Sequence, residues 1–585
     1  MVEWAKCITI DSDSNLSDIE HHFRVFAGPG AGKTHWLTNH IRNVLRKSKR
    51  LGATGKVACI TYTNTGVEEI QSRLKQSVDR VEVATIHSFL YSNVVKPYAF
   101  LLKDDDGKYI LNIRQLDGHV EHVPSPKFTN DWKRENNLGY LRDNRKVYEC
   151  LINLDWYFQD DELVCLPRHL YKLRCGKYWI RKESLSKYKQ YYWNIGQIHH
   201  EDVLYFSYVL IQNHPVILEF LRAKFPYIFV DEFQDTNPIQ TWIIKKIAEN
   251  TTIAGVIGDL AQSIYGFQGA CRQDFEDFVL VNIVDYKIEN NRRSSGSIIG
   301  LLNHIRGNDI VQKPVDGKTG EPVKLFVGSI QDLIDRMKSE TNTTPIVLVR
   351  KNDYAGRIRS KSEKELAELW DDFRSVDSNW ERTNFVYAMI LGIELAIQRE
   401  FRESITGIER NFRKFKDGQP VPKSIKRKAA ISCLQSAVNQ WDVWKEKTLL
   451  EFNNYFVKIL DDKYGIKIGA SINRGKIKEF GESRKCKELS QCLKIKDDKS
   501  NVRTIHKAKG GEYDAVIVAF EDEADLEHIT SPNIDNDAND ECRIYYVALS
   551  RAKENLYICT PSLNETNKAS LMALGMIVHE NLQSP

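Results

Sequence analysis

Much that would narrow the class of this 585-residue chain is missing from it. It has almost no net charge: 83 Lys and Arg against 79 Asp and Glu leave only +4. There is no chain-wide basic field, so any nucleic-acid site must be a local patch. The 11 cysteines are scattered with no C-x-x-C pair. Cys165 and Cys175 are too far apart for a zinc knuckle, and no paired Cys/His set accompanies them. Reduced thiols in a cytoplasmic protein are the plain expectation. No apolar run approaches the length needed to cross a bilayer. The start "MVEWAKCITIDSDSN" is polar and acidic, unlike a signal peptide. No membrane partner is expected. Repeats of 20–50 residues and long low-complexity tracts are also absent. What remains is a globular chain too long for one core, of roughly three to five domains.

Against that background, "RVFAGPGAGKTHWL" stands out. Glycine weakens both strands and helices, so this cluster needs a use. With no Cβ on its three glycines, the backbone from Gly28 through Gly30 and Ala31 to Gly32 can curl its N–H groups around an anion. The following helix offers the same anion its positive end. Lys33 adds a full charge, and the Thr34 hydroxyl suits Mg²⁺. The pattern G-x-x-x-x-G-K-[ST] is met except at Ala27. Its setting, between the apolar "FRVF" and the helical "THWLTNHIRNVL", is the strand–loop–helix context the motif requires. The chain is expected to bind a nucleoside triphosphate with Mg²⁺.

The organisation fits. "KVACITYT" and "VEVATIHSF" read as strands, separated by a helix with Val67, Ile70, Leu74 and Val78 on one face. This opens a parallel α/β sheet. From about residue 93 to 200 the chain is rich in Tyr, Trp, Lys and Arg. The α/β pattern resumes at "FPYIFVDEFQDTNPIQ" and "TTIAGVIGDLAQSIYGFQGA". A second α/β section is read from near "VDYKIENNRRSSGSIIGLL". It includes "TPIVLVRKN", and returns at "VRTIHKAKGGEYDAVIVAF" after a charged, helical stretch over about 357–498. The layout is two α/β cores, each interrupted by an insertion.

"YIFVDEFQD" ends a hydrophobic strand in Asp231 and Glu232. One carboxylate there suits Mg²⁺; its neighbour suits polarising an attacking water. With these residues the chain resembles the UvrD/Rep-like superfamily 1 DNA helicases over nearly its whole length, the motifs falling in the family's order. "AGPGAGKT" matches the first. "ITYTNTGVEEIQSRL", with Tyr62 and Asn64, and "TIHSF", with His87, resemble motifs that contact single-stranded DNA. "VDEFQD" includes Gln234 and Asp235. "GDLAQSIYGFQGA" supplies Gln262, which in the family links the γ-phosphate to the DNA site, and Tyr265 and Phe267, at base-stacking positions. "ENNRRSS" supplies Arg293. "RTIHKAKGGEYD" supplies Thr504, His506, Gly510 and Glu512. "YVALSRAK" supplies Arg551.

The resemblance implies two RecA-like P-loop domains with mainly helical insertions. Domain 1A spans 1–92 and 200–275, and insertion 1B spans 93–199. Domain 2A spans 276–356 and 499–585, and insertion 2B spans 357–498. It implies an ATP hydrolase that translocates on single-stranded DNA, 3′ to 5′, with Lys33, Glu232, Gln262, Arg293 and Arg551 at the chemistry. Thr34 and Asp231 would hold Mg²⁺. Tyr62, Asn64, His87, Tyr265, Phe267, Thr504 and His506 would face DNA. Taken alone, each arginine reads better as a surface ion pair, and core packing is the lesser reading of each aromatic; the motif placement of the arginines favours function. "RHLYKLRCGKYWIRKESLSKYKQYYW", residues 168–193, has a single acid, Glu183. It reads equally as a phosphate-tracking strip or as a solvated face over a Tyr-rich core. "KSIKRKAA" from Lys423 reads as a solvated helix face.

Two departures bear on nucleotide choice. The family has a Gln upstream of the P-loop that reads adenine; here the first Gln is Gln71. Arg292 stands where an aromatic stacks on the base, although a guanidinium also stacks. Relaxed nucleotide use is expected. The compact chain, with no nuclease module recognised behind the sixth motif, also resembles the helicase-like subunit of Gabija-type anti-phage systems. That implies a separate OLD-type nuclease as partner and a role in DNA repair or defence. The alternative is a regulatory subunit that senses nucleotide and DNA ends, gating such a nuclease with little unwinding.

Overall fold

A computed structural model describes residues 3–74, 79–120, 122, 124–159, 162–307, 309–340, 345–358, 369–370, 372–377, 379–397, 400–469, 472, 474–496, 501–536 and 539–580. The chain divides into two compact units, Met1–Leu333 with Ala508–Pro585, and Ile334–Lys507.

The larger unit is built on a seven-stranded sheet. Its order is Ile8–Ile10, Val284–Ile288, Phe23–Ala27, Ile253–Gly258, Tyr227–Val230, Val57–Thr61 and Val81–Thr85. Every neighbouring pair is parallel. The four strands from Phe23–Ala27 to Val57–Thr61 are buried at every residue. That is why they read as unbroken apolar runs rather than alternating ones: a parallel sheet is covered on both faces. On one face lies helix Lys33–Lys47, with Trp36, Leu37, Ile41 and Val44 buried. On the other, Phe26, Ala58 and Val230 join a core that runs on into residues 93–225. The first insertion therefore shares the hydrophobic core of the sheet it interrupts. It carries helices Pro126–Glu135, Asn144–Leu151 and Glu183–Trp193. It also carries two antiparallel hairpins, Leu154–Gln159 with Glu162–Pro167, and Arg174–Cys175 with Tyr178–Trp179.

The order corrects one reading. The strand in "VDYKIENN" does not open the second core: Val284–Ile288 pairs with Phe23–Ala27 in the first sheet. A boundary at residue 276 cuts that strand away from its partner. Helix Asn64–Leu74 buries Ile70 and Leu74; Val78 lies outside the described residues. The second core contributes to the larger unit the parallel strands Tyr513–Ala519, Ala552–Thr560, Lys324–Val327 and Ile577–His579.

The smaller unit is mostly helical. Helices Trp380–Ile397, Phe401–Glu409, Lys423–Asn439, Leu449–Tyr464 and Cys486–Lys496 enclose a core including Phe385, Ile393, Phe412, Phe452 and Leu489. Strands Ile346–Val349 and Val502–Thr504 pair in parallel within it. The basic start of helix Lys423–Asn439 is solvated, and burial begins at Ala429.

Candidate nucleotide and nucleic-acid site

In a parallel sheet, the carboxyl ends of the strands are where ligands bind. Six strands of the first sheet deliver motif residues there. Phe23–Ala27 leads to the P-loop, Val57–Thr61 to Tyr62 and Val81–Thr85 to His87. Tyr227–Val230 leads to Asp231, Ile253–Gly258 to Gln262, and Val284–Ile288 to Arg292 and Arg293.

The P-loop needs its glycines sterically. Gly30 and Gly32 have φ of 68° and 81°, the left-handed region that side chains avoid. A Cβ on Gly30 would lie 2.6 Å from Cβ of Arg293, and one on Gly32 2.9 Å from Cβ of Ser12. No side chain caps helix Lys33–Lys47, so its first amides are left for an anion. Lys33 Nζ donates to the carbonyls of Ala27 (3.2 Å) and Gly28 (3.5 Å), which keeps the ammonium inside the loop. From outside, Asn291 Nδ2 and Gln312 Nε2 both donate to the Pro29 carbonyl at 3.0 Å. The Arg292 amide donates to the Gly30 carbonyl at 2.8 Å.

Asp231 and Glu232 follow the central strand. Burial, then the charge of Glu232, pushes the Asp231 carboxyl up from its ordinary value. Burial works the same way on Glu232, but Lys33 and Lys509 outweigh it and hold that carboxyl down. Gln234 Nε2 donates to Glu232 Oε2 at 2.6 Å. Glu232 has φ of 53°. The only other non-glycine residues with positive φ among those described are Asn137 and Asn282, and Asn tolerates that region.

The two arginines reach this pocket from the chain beyond the first sheet's last strand. Arg293 Nη2 donates to Glu512 Oε1 (2.6 Å) and Nη1 to the Ser550 carbonyl (3.1 Å), while its Nε is buried without a hydrogen-bond partner. Arg551 is buried; its Nη2 donates to Gln262 Oε1 at 2.9 Å. Burial and then Arg293 disfavour the charge on Arg551, which Glu232 and Glu512 only partly restore. Arg551 is thus a buried guanidinium beside a second one, Arg293, with only part of its charge balanced.

One family model, described as the UvrD/REP helicase N-terminal domain, matches residues 11–279. Another, the UvrD-like helicase C-terminal domain, matches 178–562, well over half of the chain. The chain belongs to the UvrD/Rep helicase family. It is by class an ATP-hydrolysing DNA helicase with RecA-like cores. It is 23% identical to the DNA helicase II of Rickettsia typhi, over 91% of this chain and 89% of that protein. It is 22% identical to the ATP-dependent DNA helicase Rep of Buchnera aphidicola subsp. Schizaphis graminum, over 91% and 90%. With the ATP-dependent DNA helicase PcrA of Staphylococcus aureus the identity is 23%, over 91% and 80%.

The remaining motif residues of this family fall into groups. Tyr62 stacks on Tyr265 with centroids 5.0 Å apart, and Phe267, half exposed, follows at 6.1 Å from Tyr265. Asn64 is exposed nearby in sequence, at the start of its helix. His87 is not in that ladder: it packs against His200 (5.9 Å) and His119 (6.3 Å), and burial followed by those rings pulls it down to about 3, so it is neutral. Gly510, with φ of 87°, is exposed and turns the chain toward Glu512. Thr504 and His506 belong to the smaller unit, Thr504 buried at the end of its strand. Arg292 is held by Ser12 Oγ (2.8 Å), Asp11 (3.0 Å) and Asp13 (2.5 Å).

Sequence reasoning missed Lys509. Its ammonium lies 2.5 Å from Asp235 Oδ2, 2.8 Å from the Gln262 carbonyl and 4.6 Å from the Tyr265 ring centroid. It joins the carboxylate cluster to the aromatic ladder. Its only signal was its place in "HKAKGG". The strip 168–193 splits between its two readings. Up to Lys182 it is mostly exposed, with Tyr171 71% and Trp179 59% exposed, and is anchored by buried Leu173, Cys175 and Ile180. From Glu183 its helix turns inward, burying Tyr188, Tyr192 and Lys189, the last paired with Asp202 at 3.2 Å.

Proposed function

We propose that this chain spends ATP to translocate 3′ to 5′ on single-stranded DNA, loading from DNA ends and opening duplex as it moves. The observation that carries the reading is that Arg293 packs on Gly30 of the Lys33 loop while Arg551 is bonded to Gln262 and bears on Glu232. A γ-phosphate between these groups would tie the first core to the second, and its removal would loosen them. Arginines so placed give roughly 10³–10⁵ in rate. Glu232 takes the proton of the attacking water.

The donor set also fits a divalent cation. Asp231 is buried and its charge disfavoured, so a cation beside it would restore that charge. Thr34 and Asp231 would hold Mg²⁺, which supplies charge neutralisation on the phosphate oxygens. Gly28, Ala31 and Gly32 offer the loop amides. Arg292, in place of an aromatic, would lie flat on the base and read no edge of it; comparable hydrolysis of ATP, GTP and CTP is the signature of that role. Tyr62, Tyr265 and Phe267 would stack on bases; Asn64, His87, Thr504 and His506 are assigned to DNA on resemblance alone. On resemblance alone, we extend the reading to DNA repair or anti-phage defence, in the latter case beside a separate OLD-type nuclease.

The test is ATP hydrolysis by the purified chain with and without single-stranded DNA. Turnover is expected to rise at least about 10-fold with DNA and to vanish in Lys33→Ala. Equal turnover with and without DNA would reject the motor reading.

A further inference from the structure

Arg306 ends helix Gly296–Arg306, outside every motif. Its side chain is 1% exposed and faces Asp259, which is 0% exposed. Arg306 Nη1 donates to Asp259 Oδ1 at 2.7 Å, and Nε donates to Asp309 Oδ1 at 2.6 Å. The second oxygen of Asp259 accepts from Gln262 Nε2 at 2.7 Å. Gln262 Oε1 in turn accepts from Arg551 at 2.9 Å. The backbone N–H of Asp259 donates to Gln234 Oε1 at 2.9 Å, and the other end of that amide holds Glu232.

The chemistry of this chain of contacts allows one arrangement. A carboxylate only accepts and a guanidinium only donates. With its NH₂ on Asp259, Gln262 must turn its oxygen to Arg551. If Asp259 swings, the amide loses what fixes its orientation. Arg306 is the side chain that holds it, sharing Oδ1 with the Ala261 amide (3.2 Å) and itself braced by Asp309. We propose that Arg306 is a positioning residue: by clamping Asp259 it fixes the amide of Gln262, and through it the guanidinium of Arg551. Arg306 makes no contact with the P-loop or the carboxylate pair, so its influence passes through side chains that do. A connected, buried polar network of this kind acts as a unit.

The inference rests on the reading of Gln262 and Arg551 as γ-phosphate groups. The experiment is a double-mutant cycle on DNA-stimulated ATP hydrolysis, with kcat and KM measured separately. Arg306→Lys keeps the charge but cannot serve both carboxylates. It is expected to lower kcat roughly 10–100-fold with KM for ATP unchanged within about twofold. In Gln262→Ala, adding Arg306→Lys should cost nothing further, because the group it acts through is already gone. Additive losses, or wild-type kcat in Arg306→Lys, overturn the proposal. Should Arg306→Lys not fold, Asp309→Asn removes only the outer brace and is held to the same two outcomes. If Gln262→Ala itself turns over normally, the reading of the phosphate site fails instead, which separates the two failures.

Discussion

Glu232 adopts a backbone conformation that glutamate avoids, with φ of 53° and ψ of 43°. Such a residue costs about 1–3 kcal/mol and persists only where the surroundings enforce it. The turn sets its carboxylate on Gln234 and within the field of Lys33, where a water attacking a loop-bound phosphate would need a base. Glu232→Gln keeps the shape and removes the base. Turnover should fall by about 10²–10⁴ while nucleotide affinity, read by fluorescent-analogue binding, stays within a few-fold; substantial turnover would reject the role. Asp231 gives a pH dependence with a definite sign. Its pKa in the folded chain is raised, so it costs stability as pH climbs through that raised value, and it must lose a proton to accept Mg²⁺. Mg²⁺-dependent nucleotide binding should therefore weaken as pH falls from about 8 to about 6, and Asp231→Asn should abolish the dependence along with most of the Mg²⁺ affinity. Residues in local motifs, such as Lys33 and Glu232, were legible because loop, strand end and function share a short stretch. Arg306 and Lys509 were not: their partners Asp259 and Asp235 lie 47 and 274 residues away, and no periodicity encodes such a pairing.

At the scale of elements, the strands of the first core were legible because burial on both faces leaves apolar runs. Their order was not. Val284–Ile288 follows the first core and precedes Arg293, and nothing in "VDYKI" says which sheet completes its hydrogen bonds. Its pairing with Phe23–Ala27 has a consequence for the site: Arg292 and Arg293 hang from the same sheet as the P-loop, so the loop and one arginine are fixed together, while Arg551 comes from helix Glu541–Leu549 and the turn after it. The hairpin Arg174–Trp179 was ambiguous because composition cannot tell a solvated face from a binding one. Its rings and cations are exposed, which a binding role requires and a solvated face shares. Replacing Tyr171 and Trp179 together by Ala should weaken single-stranded DNA binding by about 10-fold or more, since each stacked base is worth roughly 1–3 kcal/mol. Neither ring is buried, so thermal stability should hold. Unchanged affinity in an anisotropy titration would return the hairpin to the solvated reading.

At the scale of the whole molecule, the near-zero net charge matters most. With only +4 overall, the chain has no general attraction for polyanions, and DNA affinity must come from local cations displacing counterions from a few phosphates. A track of several phosphates makes the affinity fall by at least about 100-fold between roughly 50 and 200 mM salt. ATP hydrolysis without DNA has no such counterion release and should stay nearly flat over the same range. The contrast distinguishes a motor from a P-loop enzyme acting on a small molecule, for which both curves would be flat. It also sets the condition for separating a motor from a regulatory subunit. At low salt, where DNA is saturated, the translocating chain should release a short annealed strand from a 3′-tailed duplex, with a rate that follows its kcat across Arg306→Lys and Glu232→Gln. A regulatory subunit would hydrolyse ATP on the same tailed DNA and release no strand, because its lobes would signal nucleotide state without moving along the track.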